Sequence, residues 1–60
     1  SINDEVKITC YRKTNIMKRD DAIKFYKDCI NNSEGCERDR YTNIFLGLID
    51  GLSEVSDERR

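Results

Sequence analysis

Residues Arg40–Leu52 read RYTNIFLGLIDGL. Tyr41, Ile44, Phe45, Leu48, Ile49 and Leu52 recur at offsets of three and four, so they form one apolar stripe along one face of a helix. Upstream, Ala22, Phe25, Tyr26, Cys29 and Ile30 repeat that spacing. Only Asn31-Asn32-Ser33-Glu34-Gly35 separates the two stripes, enough to turn the chain back. The pattern predicts two helices packed face to face.

The ends of these helices carry their own signals. Asp20 reads as the N-cap of the first helix, with Asp21 in its first turn, where a carboxylate favours the helix dipole. Asn31 or Asn32 tolerates the left-handed conformation that closes a helix. Ser33 reads as the N-cap of the second helix, followed by Glu34 and Glu37, although Gly35 allows a later start. Asp50-Gly51 supplies a stop, which sets the second helix at Ser33–Asp50.

Before the helices, Glu5–Tyr11 (EVKITCY) alternates. Val6, Ile8 and Cys10 share one face; Lys7, Thr9 and Tyr11 share the other. That is the period of a half-buried strand rich in β-branched residues. Arg12-Lys13-Thr14-Asn15 is polar and fits a hairpin turn, and Thr14–Met17 then returns as a short second strand. Leu52 and Val55 either extend the packing onto the first helix or add a short edge strand. The fold class expected is therefore α+β: a small N-terminal β-strand or hairpin packed on an antiparallel two-helix hairpin. Residues 1–60 form a single small domain, with 1–4 and 57–60 expected to be mobile. The expected core is Val6, Ile8, Ile16, Ala22, Phe25, Tyr26, Cys29, Ile30, Tyr41, Ile44, Phe45, Leu48, Ile49 and Leu52.

Sixty residues bury only about 60% of their unfolded surface. Two helices alone would leave apolar edges wet, so another element or a second copy must cover them. Charged residues make up 38% of the chain and apolar ones 37%, a balance that excludes a disordered segment. The net charge of −1 hides an uneven distribution. Lys7, Arg12, Lys13, Lys18, Arg19, Lys24 and Lys27 face only Asp20 and Asp21 over residues 7–27, and acids dominate after residue 28. A local basic face is compatible with this; a strongly basic protein is not. No apolar run is long enough for a membrane span or a retained signal peptide.

Catalytic groups are not evident. The chain has no histidine, so acid–base chemistry near neutral pH would need a shifted Asp, Glu, Cys or Lys in a deep dry pocket. The three glycines are isolated and form no phosphate loop. Cys10, Cys29 and Cys36 match neither a disulfide framework nor a zinc pattern, and they read as small buried apolar residues in a reducing cytosol. Cys36 near a helix start lacks a partner base. Asp20, Asp21 and Asp28 point apart on a helix and make no metal site. No catalytic, metal or cofactor residue is assigned.

Two binding readings remain. One strand followed by two helices fits a ribbon–helix–helix arrangement, in which a strand pairs with its copy in a dimer and lays alternate side chains in the DNA major groove. The DNA-binding residues would then be Lys7, Thr9 and Tyr11. The overall acidity and the long segment 12–19 oppose it, because phosphate contacts dominate DNA affinity. The second reading is a protein partner: tyrosines at stripe edges suit interfaces as well as core margins.

The segment Ser33–Tyr41 (SEGCERDRY), continued by Thr42-Asn43-Ile44, resembles short uncharacterised proteins carried on conjugative transposons and other mobile elements of low-GC Gram-positive bacteria. Val6–Tyr11 and Arg19–Ile23 share in the resemblance, which spans roughly residues 6–57. It implies a bacterial, cytoplasmic accessory protein. The expectation is a non-enzymatic protein-binding module of a mobile genetic element, as a monomer or homodimer, without cofactor or membrane contact. The alternatives are a dimeric ribbon–helix–helix-like transcriptional regulator and an inhibitor of a host defence nuclease.

Overall fold

The computed structural model describes residues 4–58. The elements run β1 (Glu5–Cys10), β2 (Lys13–Lys18), α1 (Arg19–Asn31), α2 (Gly35–Ile49) and β3 (Glu54–Ser56). The sheet order is β2-β1-β3: β2 pairs antiparallel with β1, and β3 runs parallel to it. The α+β class and the helical hairpin are as the patterning predicts. The expectations for residues 1–3 and 59–60 lie outside the described residues.

Alternation along β1 decides which face carries the helices. Val6 and Ile8 are fully buried, and they join Ala22, Tyr26, Ile44, Leu48 and Val55 in the core. The β1–β2 hairpin closes earlier than expected, at Tyr11-Arg12, so Lys13 already belongs to β2. Both turn residues have positive φ (51° and 66°), the signature of a type I′ turn, whose twist suits a two-residue hairpin.

This register corrects the expectation for Ile16. Val6 pairs with Met17, and Lys7 with Ile16. Met17 therefore faces the helices and Ile16 faces away, 65% exposed; in a strand a one-residue step changes the face. Val55, which was not in the expected core, fills the opposite flank. Its neighbour is Gly47, where a Cβ would lie 2.6 Å from Val55 Cγ1. The close seat of β3 turns α2 so that Ile44, Gly47 and Leu48 are its buried positions. Ile49 and Leu52 are consequently exposed, and Phe45 is only half-buried. On α1, Tyr26 takes the buried position and Phe25 is left 52% exposed. Cys29, Ile30 and Tyr41 are half-buried.

The caps also differ from expectation. Helix α1 starts at Arg19, with Lys18 at the N-cap position and no side-chain cap. Asp20 is thus a first-turn residue, not the cap. The reason lies in the hairpin: the Arg19 N–H donates to Asp4 O at 2.8 Å, so the β1–β2 ladder satisfies a helix donor that a cap would otherwise serve. Ser33 closes α1 instead of opening α2, because its Oγ donates to Cys29 O at 2.7 Å. Helix α2 begins at Gly35 (φ 67°) after Glu34 and ends before Gly51 (φ 83°), which takes the left-handed stop predicted for it.

Arg19 joins the two ends of the helical hairpin. Its Nη1 donates to Leu48 O at 2.8 Å and its Nη2 to Leu52 O at 2.9 Å. Its Nε donates to Asp4 Oδ2 at 2.7 Å. A guanidinium at the last turn of α2 adds a second donor to Leu48 O, which also accepts the Gly51 N–H at 3.2 Å, and it complements the negative end of the dipole. No helix among the described residues is long and apolar enough to cross a membrane.

Candidate functional site

Two features stand out from a plain two-layer fold. The first lies at the hairpin end of the sheet and centres on Asp57, which was expected in a mobile tail but is 3% exposed. Its N–H donates to Thr9 O at 3.0 Å, continuing the β1–β3 ladder. Its Oδ2 accepts from the Tyr11 N–H at 2.9 Å and from Arg40 Nη1 at 3.0 Å. Asn43 Nδ2 donates to the Asp57 carbonyl at 3.2 Å. The Arg40 guanidinium carbon lies 5.0 Å from the centroid of the Tyr11 ring, within cation–π range.

Burial pushes the Asp57 carboxyl up, but hydrogen bonds from the Tyr11 N–H and from Arg40, with the arginine's charge, outweigh it and hold the group below the usual aspartate range. Its Oδ1 is buried with no hydrogen-bond partner meeting normal geometry. The Cys10 thiol interacts with this carboxylate; burial chiefly, then Asp57, pushes the thiol pKa up. The Cys29 thiol is likewise raised, first by burial. These influences disfavour the thiolate form at both positions. Cys36 is exposed, unlike the buried reading of the cysteines, and all three are free. Tyr26, buried beside these groups, has its hydroxyl pushed up to about 12, mainly by burial.

The arrangement is a lock. The β1–β2 turn places two non-glycine residues in the left-handed region, which costs on the order of 1 kcal/mol each. Asp57 accepts the turn's first N–H, and Arg40 covers its tyrosine ring. Sequence reasoning missed Asp57 because a single acid in a charged terminal run has no periodic signal.

The second feature is the helical layer. A groove of about 360 Å³ runs between α1 and α2, lined by residues that include Phe25, Cys29 and Tyr41, with Asp28 and Glu37 beside them. Further along α2, Leu46 and Ile49 are both more than half exposed. Three residues apart on a helix, they are surface neighbours, and half-buried Phe45 lies four before Ile49. Phe25 meets the Tyr26 ring edge-on, with centroids 4.9 Å apart.

The expected DNA-reading residues are not brought together as a groove-reading row. Lys7 and Thr9 lie on the open face of the sheet, where Thr9 Oγ1 and Thr14 Oγ1 are 3.0 Å apart. Tyr11 has left the strand for the turn. Strand β1 is paired on both edges within the chain, so it has no edge left for a second β1, and the β1 ribbon of a ribbon–helix–helix dimer cannot form. Register sets Glu5 beside Lys18 and Lys7 beside Glu54, which leaves that face balanced in charge, not a basic stripe. Among the described residues, no group of three or more Cys, Asp and Glu is placed to hold a metal ion. No protein-family model, curated protein or solved structure matches the chain.

Proposed function

We propose that the protein is a non-enzymatic binding module that acts through protein contacts made by the outer face of its helical hairpin. The observation that carries this reading is the exposed apolar set Phe25, Leu46 and Ile49 on a helical layer whose other face is already committed to the core. Exposed large apolar side chains with charges beside them are what protein interfaces use at their centres. The resemblance of Ser33–Tyr41 to short mobile-element proteins supports a bacterial, cytoplasmic accessory role.

The test uses the exposure of these residues. Phe25→Glu and Ile49→Glu change side chains outside the core, so helical content by circular dichroism should be retained. Cross-linking in a lysate of a low-GC Gram-positive host should then show a partner captured by the wild type and by a Lys7→Ala control, and lost from both glutamate variants. Equal capture by all four proteins would sink the assignment of the surface. Duplex DNA binding that persists at physiological salt would sink the protein-partner reading itself.

A further inference from the structure

Strand β2 forms an edge of the sheet, and its hydrogen-bonding phase can be read from the register. The hairpin has a two-residue loop, so Cys10 and Lys13 form a hydrogen-bonded pair, and such pairs alternate along the ladder. The Arg19 N–H bond to Asp4 O confirms the phase at the far end. Lys13, Asn15 and Met17 therefore aim their backbone groups at β1. Thr14, Ile16 and Lys18 aim theirs outward, along the open edge.

That edge runs six residues, with a lysine at each end. All of β2 is exposed except Met17, which is half-buried. Ile16, at its centre, is the most exposed large apolar side chain in the described chain. An edge of this kind is a template for another strand.

We propose that β2 pairs antiparallel with β2 of a second copy, about a two-fold axis through Ile16. The phase selects this register. An antiparallel partner must set outward-aimed residues opposite one another, which removes every register that places Thr14, Ile16 or Lys18 opposite Lys13, Asn15 or Met17. One of those removed registers would have put Lys13 opposite Lys18. Of the registers that remain, only the one centred on Ile16 engages Thr14, Ile16 and Lys18 together: Ile16 faces Ile16 of the copy, and Thr14 faces Lys18. On the open face the two isoleucines meet across the axis, and no like charges oppose one another there. On the helix side Asn15 lies beside Met17 of the copy, covering a residue that one chain leaves half-buried. Lys13 comes level with Arg19 of the copy, whose charge is already matched by Asp4 at 2.7 Å. The product is a continuous six-stranded sheet with all four helices on one face. It uses the edge of the sheet and not the helical surface above, and it does not depend on that reading.

The pairing differs from a β1 ribbon in which strand does the work, and one substitution tests it. Sedimentation equilibrium over a hundredfold dilution should give twice the 7.1 kDa chain mass at the concentrated end. Ile16→Lys sets two ammonium groups opposite each other on the axis and should halve that mass, with circular dichroism unchanged because the side chain lies outside the core. In the concentrated wild type, amide exchange at Thr14, Ile16 and Lys18 should be slow, and it should become fast in the variant. A wild type that is monomeric throughout overturns the proposal. So does a dimer that survives Ile16→Lys, or one in which these three amides exchange freely.

Discussion

Asp57 shows how one side chain can set the end of a fold. Its carboxylate accepts the Tyr11 N–H and an Arg40 hydrogen bond inside a nearly closed environment. Because its folded pKa lies below the ordinary 3.8, the stability it contributes is complete above that value. It is lost as pH falls from there through the lower folded value. Asp57→Asn should therefore flatten the acid limb of the stability curve, measured as urea midpoints from neutral pH downward. A variant whose acid limb matches the wild type would show that this carboxylate does not supply it. Asp57→Asn should also lower stability at neutral pH by about 1–3 kcal/mol, since a charge-assisted acceptor is lost in a buried setting. The turn that Asp57 braces carries the opposite opportunity. Arg12 sits at φ 66°, where glycine has no Cβ penalty. Arg12→Gly should raise the thermal midpoint, by about 1 kcal/mol in stability. A lowered midpoint would mean that the arginine side chain makes a contact worth more than the strain.

At the scale of elements, the seat of β3 on α2 organises the core. The strand has only three residues, and it is placed by Val55 against Gly47. A methyl at Gly47 would meet Val55 Cγ1 at 2.6 Å and Cβ at 3.3 Å. Gly47→Ala gains helix propensity of about 1 kcal/mol, but the overlap costs about 1–3 kcal/mol, so a net loss is expected. Val55→Ala opens a cavity and should also destabilise. The double variant should be more stable than the two single losses predict, because each change makes room for the other. Additive losses in chemical denaturation would show that β3 is not held by this contact. The helices themselves were legible from sequence. Their stripes, the Asp50-Gly51 stop and the end of α1 at Asn31 all follow from local spacing and capping chemistry. Local signals misplaced the caps, however. Asp20 has the right chemistry for an N-cap, but the strand before it already supplies the bond through Asp4 O. Ser33 has two possible duties, and the turn geometry gives it to the carbonyls of α1.

For the whole molecule, the arrangement of layers separates two surfaces. The helices cover one face of the sheet, β1 is paired on both edges, and the exposed apolar side chains include Phe25, Leu46 and Ile49 on the helices and Ile16 at the β2 edge. The candidate sites were only partly legible for this reason. Phe25 and Ile49 were read as core because each sits on an apolar stripe, and a stripe says nothing about how wide a face the neighbouring element will cover.

The sequence by itself determined the α+β class, the antiparallel helical hairpin and the alternation that buries Val6 and Ile8. These follow from periods of 3.6 and 2, which are properties of the local backbone. Only the tertiary structure decided that Ile16 faces away from the helices, that Val55 rather than Leu52 completes the core, and that Asp57 is buried. Each of those outcomes depends on register or on contact between residues far apart in the chain: the loop length that phases β2 against β1, the glycine on α2 that admits β3, and the Tyr11 N–H that reaches Asp57 across 46 positions. Spacing along one element carries no information about such pairings, because the free energy that selects them arises only when the elements meet.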